Sequence, residues 1–332
     1  MPVLPHESWE VKDSSKLDAF QRCNRYAFFK YILGWDLDIP SHDLYFGEAY
    51  HRAREVQLLK GYDAVSEAYE AFESYLRQFI APEDDAIFRP KEPAAVLNAL
   101  MQLATHYQND LIENEVVEIN GEKMTEIAGT VPVDETRVLH YRMDDIMRRK
   151  EDGKIFSWDH KTTSERYIVG RQWGDQFYLS LQNGTYTHCL YCMFDIEEVL
   201  GMEFYGVGFT YLSRGSANRG QGHHCTFRKV PAYKSPDQMN SWLWTVNNLL
   251  DLWEREMEKL FHCTESDEVL QAFPMNGTSC TDYRGCEFHD FCLAWQNPLR
   301  QGPDAPLGFQ IKFWDPSKRE SSVHKDLTMG GS

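Results

Sequence analysis

Three adjacent residues near the middle of the chain combine an acid, an imidazole and an amine: Asp159, His160 and Lys161. They lie in the segment 154–163, whose composition predicts a β-strand. On a strand, residues two apart share a face, so the Asp159 carboxylate and the Lys161 amine point to one side and His160 to the other. Taken alone, this triplet is more typical of an ion pair on a solvated hairpin than of a catalytic site.

A pair of acids is predicted to lie beside this strand. Asp144 and Asp145 belong to the predicted strand 138–149, and the intervening KEDG contains an Asp-Gly step typical of a tight hairpin. Cross-strand neighbours approach to about 5 Å, so two or three carboxylates would gather beside Lys161. Such a group repels itself unless a divalent cation binds, and oxygen ligands favour Mg²⁺ or Mn²⁺. The cation would activate a water next to a phosphate while the amine orients it.

The secondary-structure elements that must position these residues are predicted to be a set of helices followed by alternating strands and helices. Apolar residues at helical spacing predict a helix from Ser14 that ends at Gly34, and further helices over 44–60, 63–80 and 92–113. The later predicted elements are strands over 122–133, 138–149 and 154–163, a helix over 173–194, a hairpin from 203–214 and 225–233, and a long helix from about Pro236 to Phe261.

Composition limits the class of protein. The 332 residues are 42% hydrophobic and 14% aromatic, which indicates an ordered globular chain of one or two domains. Because 51 acidic residues outnumber 34 basic ones, for a net charge of −17, coating of nucleic acid through bulk charge is disfavoured, while a local basic groove remains open. The absence of a long apolar run and of an N-terminal signal pattern predicts a soluble, cytoplasmic protein without a membrane partner.

Two further stretches have polar residues at a spacing suited to a site. FGEAYHRARE places His51 on a predicted helix, where its imidazole could bind a transition-type cation. LQNGTY places Gln182 and Tyr186 four residues apart on one helix face, so both reach the same region. In isolation these stretches are more typical of a hydrogen-bonded histidine and of a polar stripe at the edge of a core.

FGEAYHRARE, RMDDIM, WDHKTT and LQNGTY occur in the order found in the PD-(D/E)XK nuclease superfamily, and the chain resembles its RecB-like branch over roughly residues 15–295. The resemblance implies an α/β, restriction-endonuclease-like core with a mixed central sheet flanked by helices. The catalytic residues it implies are Asp144 (in preference to Asp145), Asp159, Lys161, Gln182 and Tyr186. The ligands it implies for Mg²⁺ or Mn²⁺ are His51, Asp144, Asp159 and the backbone carbonyl of His160, with Glu126 as an additional candidate.

Four of the eight cysteines form a separate pattern. Cys280, Cys286 and Cys292 are evenly spaced near the C-terminus, and Cys23 stands in the N-terminal half. Four thiolates suit a 4Fe-4S cluster or a structural zinc, and His289 offers zinc a local fourth ligand. The RecB-like resemblance, with one cysteine in an early helix and three after the core, favours the iron-sulfur cluster. The cluster would join the first helix to the last segment.

The remaining cysteines and the basic residues carry weaker signals. Cys189 and Cys192 form a C-x-x-C in mid-helix, which favours core packing over redox chemistry. Aromatic residues that could stack on bases are Trp158, Trp173 and Tyr167. Basic residues and histidines that could contact DNA, or simply lie on solvated loops, are Arg142, Arg148, Arg149, Lys150, Arg166, Arg171, Arg214, Arg219, His223 and His224.

These features predict a helical N-terminal region over 1–114 with Cys23 and His51, a nuclease core over 115–262, a cysteine segment over 263–295 and a tail over 296–332. The predicted function is a metal-dependent deoxyribonuclease, by preference an exonuclease, in recombination, repair or phage DNA processing. The alternative is a non-cleaving protein that binds DNA ends or assists recombination, with a structural iron-sulfur or zinc site. The predicted partners are single- or double-stranded DNA ends and a recombination or replication protein.

Overall fold

The computed structural model describes residues 3–39, 41–215, 219–282, 285–302, 304–318 and 321–329. The helices are α1 (Ser14–Arg22), α2 (Asn24–Ala27), α3 (His42–Lys60), α4 (Val65–Leu76), α5 (Pro93–His106), α6 (Asn109–Glu113), α7 (Glu165–Ile168), α8 (Arg171–Tyr178), α9 (Leu181–Met193), α10 (Pro236–His262) and α11 (His289–Ala294), with a π-helical turn at Phe28–Ile32. The strands are β1 (Trp35–Leu37), β2 (Asn114–Val116), β3 (Glu118–Ile119), β4 (Glu122–Lys123), β5 (Thr125–Pro132), β6 (Val138–Asp145), β7 (Met147–Arg149), β8 (Ile155–Ser164), β9 (Val199–Leu212), β10 (Gly222–Tyr233), β11 (Phe309–Ile311) and β12 (Val323–His324). None of the described helices is long and apolar enough to cross a lipid bilayer.

The central sheet has the strand order β10-β9-β8-β7-β2. Strands β8 and β9 run parallel, whereas the other neighbouring pairs are antiparallel. The predicted α/β class, with a mixed central sheet flanked by helices, is therefore confirmed. The predicted turn between β7 and β8 is also present, and Gly153 adopts the positive φ of 74° that the turn requires.

The strand predicted over 138–149 is interrupted, which corrects the prediction of one continuous strand. Its first part, β6, joins a smaller sheet of order β12-β5-β6, and its second part, β7, joins the central sheet. The break falls at Ile146, whose backbone N–H donates to the carbonyl of Met124 and whose carbonyl accepts from Val117. These two long-range bonds draw the chain away from the neighbouring strand.

Three predicted helices are also divided, and the one predicted over 92–113 consists of α5 and α6. The helix predicted over 173–194 consists of α8 and α9, because Ser180 starts a new helix and its hydroxyl accepts a hydrogen bond from the Asn183 N–H. The helix predicted from Ser14 is broken at Cys23, which has extended backbone angles between α1 and α2. The helical segment ends before Gly34, as predicted, where φ is 70°.

Contacts along the chain define two compact units. The first consists of residues 1–39, 129–141 and 236–320, and the second of residues 40–128, 142–235 and 321–332. The predicted boundaries at 114, 262 and 295 stay predictions.

The core of the second unit depends on the alternation of side chains along β9. Tyr205, Val207 and Phe209 pack with buried residues of α3, α4 and α5. On the other face the ring of Phe204 stacks on Phe177 of α8, with centroids 4.0 Å apart. Gly206 also lies on that face, and a Cβ there would stand 2.2 Å from the Trp173 ring, so only glycine permits this approach of helix and strand. Strand β9, which pairs with β8, thus lies between two helical layers.

The first unit is built around aromatic side chains and a buried amine. The rings in mutual contact include Phe20, Phe28, Phe29, Trp35, Trp253, Phe273, Phe288 and Phe291. Asp13 caps α1 by accepting a hydrogen bond from the Lys16 N–H. The buried Lys16 amine donates to the carbonyl oxygens of Ser8 at 2.5 Å and Val11 at 2.6 Å.

Candidate active site

The second unit brings together residues from five elements at the C-terminal end of β6 and the middle of β8. The contributions are His51 from α3, Glu126 from β5, Asp144 from the end of β6, Asp159 and Lys161 from β8, and Gln182 and Tyr186 from α9. Strands β6 and β8 belong to different sheets, so no backbone ladder joins them here. Hydrogen bonds between side chains of β6 and the backbone of β8 connect them instead.

His51, Glu126 and Asp144 form a group suited to a metal ion. One ligand atom from each lies within 4.8 Å of the others, and His51 Nδ1 is 3.0 Å from Asp144 Oδ1. Burial alone would lower the pKa of His51, but the Asp144 carboxylate and, more weakly, Glu126 raise it to about 9. The His51 proton would have to leave before Nδ1 could bind a cation.

Glu126 has an unusual backbone for a residue in a strand. Its φ is 46°, in the left-handed region that L-residues rarely adopt, and its side chain is almost fully buried. Burial and the Asp144 carboxylate raise the pKa of Glu126, while the guanidinium of Arg142 opposes this change. Arg142 Nη2 donates to Glu126 Oε2 at 2.6 Å.

The two neighbouring aspartates of β6 face different surroundings. The backbone N–H of His160 donates to Asp144 Oδ2 at 2.7 Å, and the N–H of Trp158 donates to Asp145 Oδ1 at 3.1 Å. Asp144 turns its other oxygen to His51, whereas Asp145 turns its other oxygen towards the His160 ring, 3.3 Å from Nε2. Burial raises the pKa of Asp145 well above its ordinary value, so this carboxyl favours the neutral form.

Asp159 and Lys161 form the second part of the site. Lys161 Nζ lies 2.5 Å from Asp159 Oδ2, and Gln182 Nε2 donates to Asp159 Oδ1 at 3.1 Å. The same amide lies 3.2 Å from the Tyr186 hydroxyl. Asp159 is only 1% exposed, so this pair differs from a solvated surface ion pair, and burial raises the pKa of its carboxyl against the effect of Lys161.

The His160 side chain lies on the face of β8 opposite to Asp159 and Lys161. The buried ring contacts Tyr205, with centroids 6.0 Å apart, and it lies near Asp145. Burial, together with the charge of Arg54, lowers the pKa of His160 well below its ordinary value, so the imidazole is neutral. Its backbone N–H is committed to Asp144. The prediction that its carbonyl binds the metal stays a prediction.

Two of the aromatic residues predicted to stack on DNA are not available for it. Trp158 is 1% exposed and donates from Nε1 to Glu203, and Trp173 is 2% exposed beneath Gly206. The prediction for these two is wrong, because the sequence does not show which face of each element is covered. Tyr167 is half-buried.

Several cations predicted to contact DNA have acidic partners. The pairs are Arg142 with Glu126, Arg149 with Asp152, Arg171 with Asp175, Arg219 with Glu165 and His223 with Glu92. Arg166 and Arg214 are exposed. The basic surface that the sequence predicts is thus partly neutralised by local acids. Residues 216–218 of the predicted glycine-rich loop lie outside the described residues.

The four predicted cluster cysteines all belong to the first unit and are half-buried. The Asn276 N–H donates to the Cys23 sulfur at 3.3 Å, and the Cys286 N–H donates to the carbonyl of Cys280 at 3.0 Å. Burial, with smaller contributions from the other three thiols, raises the pKa of Cys292 to about 11. Within the described residues, no set of three cysteine sulfurs lies within 4.8 Å of one another. The iron-sulfur cluster and its zinc alternative stay predictions.

Cys189 and Cys192 are packed in α9, as predicted. Cys189 is fully buried, and Cys192 is half-buried. Burial raises the pKa of Cys192 to about 11 and that of Cys189 still further from its ordinary value. Neither sulfur favours the thiolate that redox chemistry requires.

The missed contributors to the site are Arg54 and Glu55. Arg54 is fully buried and donates to Gln57 at 2.7 Å and to the Tyr62 hydroxyl at 3.0 Å, behind Asp145 and His160. Glu55 follows His51 by one helical turn. The segment HRARE contained a signal for both residues. Arg54 and Glu55 lie three and four residues after His51, on the same side of the helix, and charged side chains are rarely buried unless they have a partner.

Comparison with known protein families found one family model that matches most of the chain. The family model of the PD-(D/E)XK nuclease superfamily matches residues 14–293 of the chain. Comparison with curated proteins found no match. The matched range includes both the group of His51, Glu126 and Asp144 in the second unit and the four cysteines of the first.

Proposed function

The chain belongs to the PD-(D/E)XK nuclease superfamily, and from this we propose that it is an Mg²⁺- or Mn²⁺-dependent deoxyribonuclease, by preference an exonuclease. The observation that carries the proposal is the convergence of His51, Glu126 and Asp144 within 4.8 Å, beside the Asp159–Lys161 pair. DNA is the substrate we expect from the family.

The residues present fit a divalent cation. Asp144, Asp159 and Glu126 supply carboxylate oxygens of the kind that Mg²⁺ and Mn²⁺ prefer, and His51 supplies a nitrogen that favours Mn²⁺. Burial and, to a smaller extent, the negative charge of Asp144 raise the pKa values of Glu126 and Asp159, and the positive charge of a cation would oppose both effects. When bound, the cation would supply Lewis-acid stabilisation of the charge that develops on the scissile phosphate.

Lys161 is the group we assign to positioning the attacking water. Its side chain is 30% exposed, so solvent and substrate can reach it, while its amine lies 2.5 Å from Asp159 Oδ2. An amine donor here can orient a water for attack on phosphorus and stabilise negative charge on a phosphate oxygen. Hydrolysis would leave a phosphate on one product end.

Gln182 and Tyr186 act on the reaction through Asp159. The Gln182 amide donates to one carboxylate oxygen while Lys161 takes the other, so the plane of the carboxylate is fixed. Tyr186 is buried beside the amide and limits its rotation. We propose that both are positioning residues, and that Gln182, which is only half-buried, also contacts DNA.

A 4Fe-4S cluster in the first unit is the second part of the proposal. What supports it is the placement of all four cysteines in one unit, with Cys23 at the break between α1 and α2 and the other three after α10. The layout of one early and three late cysteines is also the one that the resemblance to the RecB-like branch implies for an iron-sulfur cluster. Zinc held by the three C-terminal thiols and His289 remains the alternative.

Cleavage of end-labelled linear DNA and of circular DNA, single- and double-stranded, with Mg²⁺ or Mn²⁺ tests the activity. We expect Asp159→Ala and Lys161→Ala to lower the rate on the order of 100-fold or more. Asp152→Ala and Lys154→Ala, in the turn of the same hairpin, are matched controls and should cut at close to the parental rate.

Three outcomes decide between the functions. Cleavage of linear DNA without cleavage of circular DNA would support exonucleolytic action. Equal rates for the parent and for folded Lys161→Ala protein would contradict the catalytic proposal. Binding of DNA ends without cleavage in either metal would favour a non-cleaving recombination partner. We place the cleavage activity in recombination, repair or phage DNA processing, with a recombination or replication protein as its partner.

A further inference from the structure

A short strand near the C-terminus pairs with the strand that carries Glu126. Strand β12 runs parallel to β5, with Val323 opposite Ile127 and His324 opposite Ala128. The Ser322 N–H donates to the carbonyl oxygen of Glu126 itself at 3.0 Å, and the Lys325 N–H donates to that of Ala128 at 2.8 Å. All of these residues belong to the second unit. The first bond of this ladder therefore ends on a residue of the metal-binding group.

The backbone of Glu126 needs such support. At φ 46° it adopts a conformation that is unfavourable for an L-residue and that persists only where the surroundings impose it. A bond to its carbonyl oxygen restricts the rotation of the following peptide plane. The orientation of the peptide in turn sets the direction of the Glu126 side chain towards His51 and Asp144.

A second contact joins the same segment to the helix that carries His51. The Ser322 hydroxyl donates to Glu55 Oε1 at 2.7 Å, and the Thr125 hydroxyl donates to the same oxygen at 3.2 Å. Glu55 lies one turn beyond His51 on α3. The carboxylate of Glu55 thus connects α3, β5 and the C-terminal segment directly behind two of the three ligands.

We propose that the C-terminal segment 321–325 is a positioning element of the metal site: through Ser322 it holds Glu126 and His51 in the arrangement that binds the cation. The inference rests on the proposed function, because it assumes that the group of His51, Glu126 and Asp144 binds a metal. It adds that metal affinity depends on a segment that lies outside the metal-binding group and contacts Glu126, Ala128 and Glu55. Docking of β12 and metal binding must then strengthen each other.

Manganese affinity measured by calorimetry in the absence of DNA tests the proposal. Ser322→Pro removes both the N–H that bonds to Glu126 and the hydroxyl that bonds to Glu55, whereas Ser322→Ala removes only the hydroxyl. We expect Ser322→Pro to weaken Mn²⁺ binding about tenfold or more and Ser322→Ala to weaken it less. Thr328→Pro, three residues beyond the segment 321–325, is the control and should bind Mn²⁺ as the parent does.

A double substitution separates positioning from a general loss of stability. If the Ser322 N–H acts through Glu126, adding Ser322→Pro to Glu126→Gln should weaken Mn²⁺ binding no more than adding Ser322→Ala does, because only the hydroxyl contact to Glu55 is then left to lose. A merely structural role would lower the melting temperature of Ser322→Pro and leave its Mn²⁺ affinity unchanged, which would overturn the proposal. Additive losses in the double variant would overturn it as well.

Hydrogen exchange on the unmodified chain tests the same coupling without relying on a proline. We expect Mn²⁺ to slow exchange of the Ser322 and Lys325 amides several-fold in the parent but not in Glu126→Gln. Unchanged exchange in a parent that binds Mn²⁺ would refute the coupling, whether or not that protein cuts DNA. A parent that does not bind Mn²⁺ would remove both this inference and the metal site of the proposed function.

Discussion

Three of the four buried acidic side chains at the candidate site each have a basic partner of their own. The pairs are Glu126 with Arg142, Asp144 with His51, and Asp159 with Lys161. Charges buried in this way are tolerated because a neighbouring opposite charge compensates them. Removing one partner leaves the other charge uncompensated in the low-dielectric interior. The side chains that compensate the acids therefore matter as much as the acids themselves.

Arg142→Met tests this compensation. The substitution leaves the Glu126 charge without its guanidinium, so we expect the free energy of unfolding without metal to fall by about 3 kcal/mol. Mn²⁺ should recover part of the loss because its charge replaces that of Arg142. Urea unfolding with and without Mn²⁺ measures both effects. Arg149→Met, which breaks an exposed pair with Asp152, is the control, and equal stabilisation of both variants by Mn²⁺ would contradict the prediction.

Substitution of the two adjacent aspartates distinguishes their roles. Asp145→Asn keeps an acceptor for the Trp158 N–H and should retain cleavage, whereas Asp144→Asn should lose most of it. Asp145→Ala leaves that buried N–H unpaired, and we expect it to cost about 1–3 kcal/mol of stability. Melting curves and cleavage rates of the three proteins provide the measurement. An inactive but stable Asp145→Asn protein would transfer the catalytic role from Asp144 to Asp145.

Among the elements, the start of α1 shows how a polar group stabilises a helix from inside the core. Lys16 is fully buried, and its amine satisfies two carbonyl oxygens of the preceding segment. The amine retains its charge at neutral pH only because these carbonyls replace water.

The stability of the protein should rise with pH above about 8 because of Lys16. Burial lowers the pKa of its amine from 10.5 to about 8. Between these values the unfolded chain binds the proton that the folded chain has lost, so the free energy of unfolding increases with pH, by at most about 1.4 kcal/mol per unit. Below about 8 both states are protonated and this contribution is constant.

Urea unfolding of the parent and Lys16→Met between pH 7 and pH 10 measures this slope. The difference between the two proteins should change above pH 8, since methionine does not titrate. Lys60→Met, at the exposed end of α3, is the control and should follow the parent at each pH. Parallel curves for the parent and Lys16→Met would show that the amine keeps its ordinary pKa.

At the scale of the whole molecule, the sequence predicted the α/β class and the meeting of distant motifs better than it predicted local breaks. The interruption at Ile146 arises from bonds to Val117 and Met124, which no pattern within 138–149 encodes. The positive φ of Glu126 likewise depends on its neighbours in space. Ser180, by contrast, is a recognisable helix cap, and the division of α8 from α9 could have been predicted from it.

Loss of one distant cysteine should disrupt the proposed cluster. We expect the purified parent to contain iron and acid-labile sulfide, and Cys23→Ser to lose most of both because three thiolates remain. Protease sensitivity of the segment 263–295 should increase at the same time. Elemental analysis and limited proteolysis measure these effects.

Cys192→Ser, which removes a half-buried thiol in the other unit, is the matched control and should keep its iron. Iron content unaffected by Cys23→Ser would contradict ligation by that residue. Zinc in place of iron, retained in Cys23→Ser but lost in His289→Ala, would establish the alternative set of ligands.

Asp144 uses one oxygen to accept the His160 N–H of β8 and presents the other to His51. A chain in which these two strands met one residue out of alignment would present Asp145 or a backbone group there instead. Retention of Mn²⁺ after refolding from urea would therefore report the fraction of molecules with native strand alignment, even in a variant that has lost all cleavage.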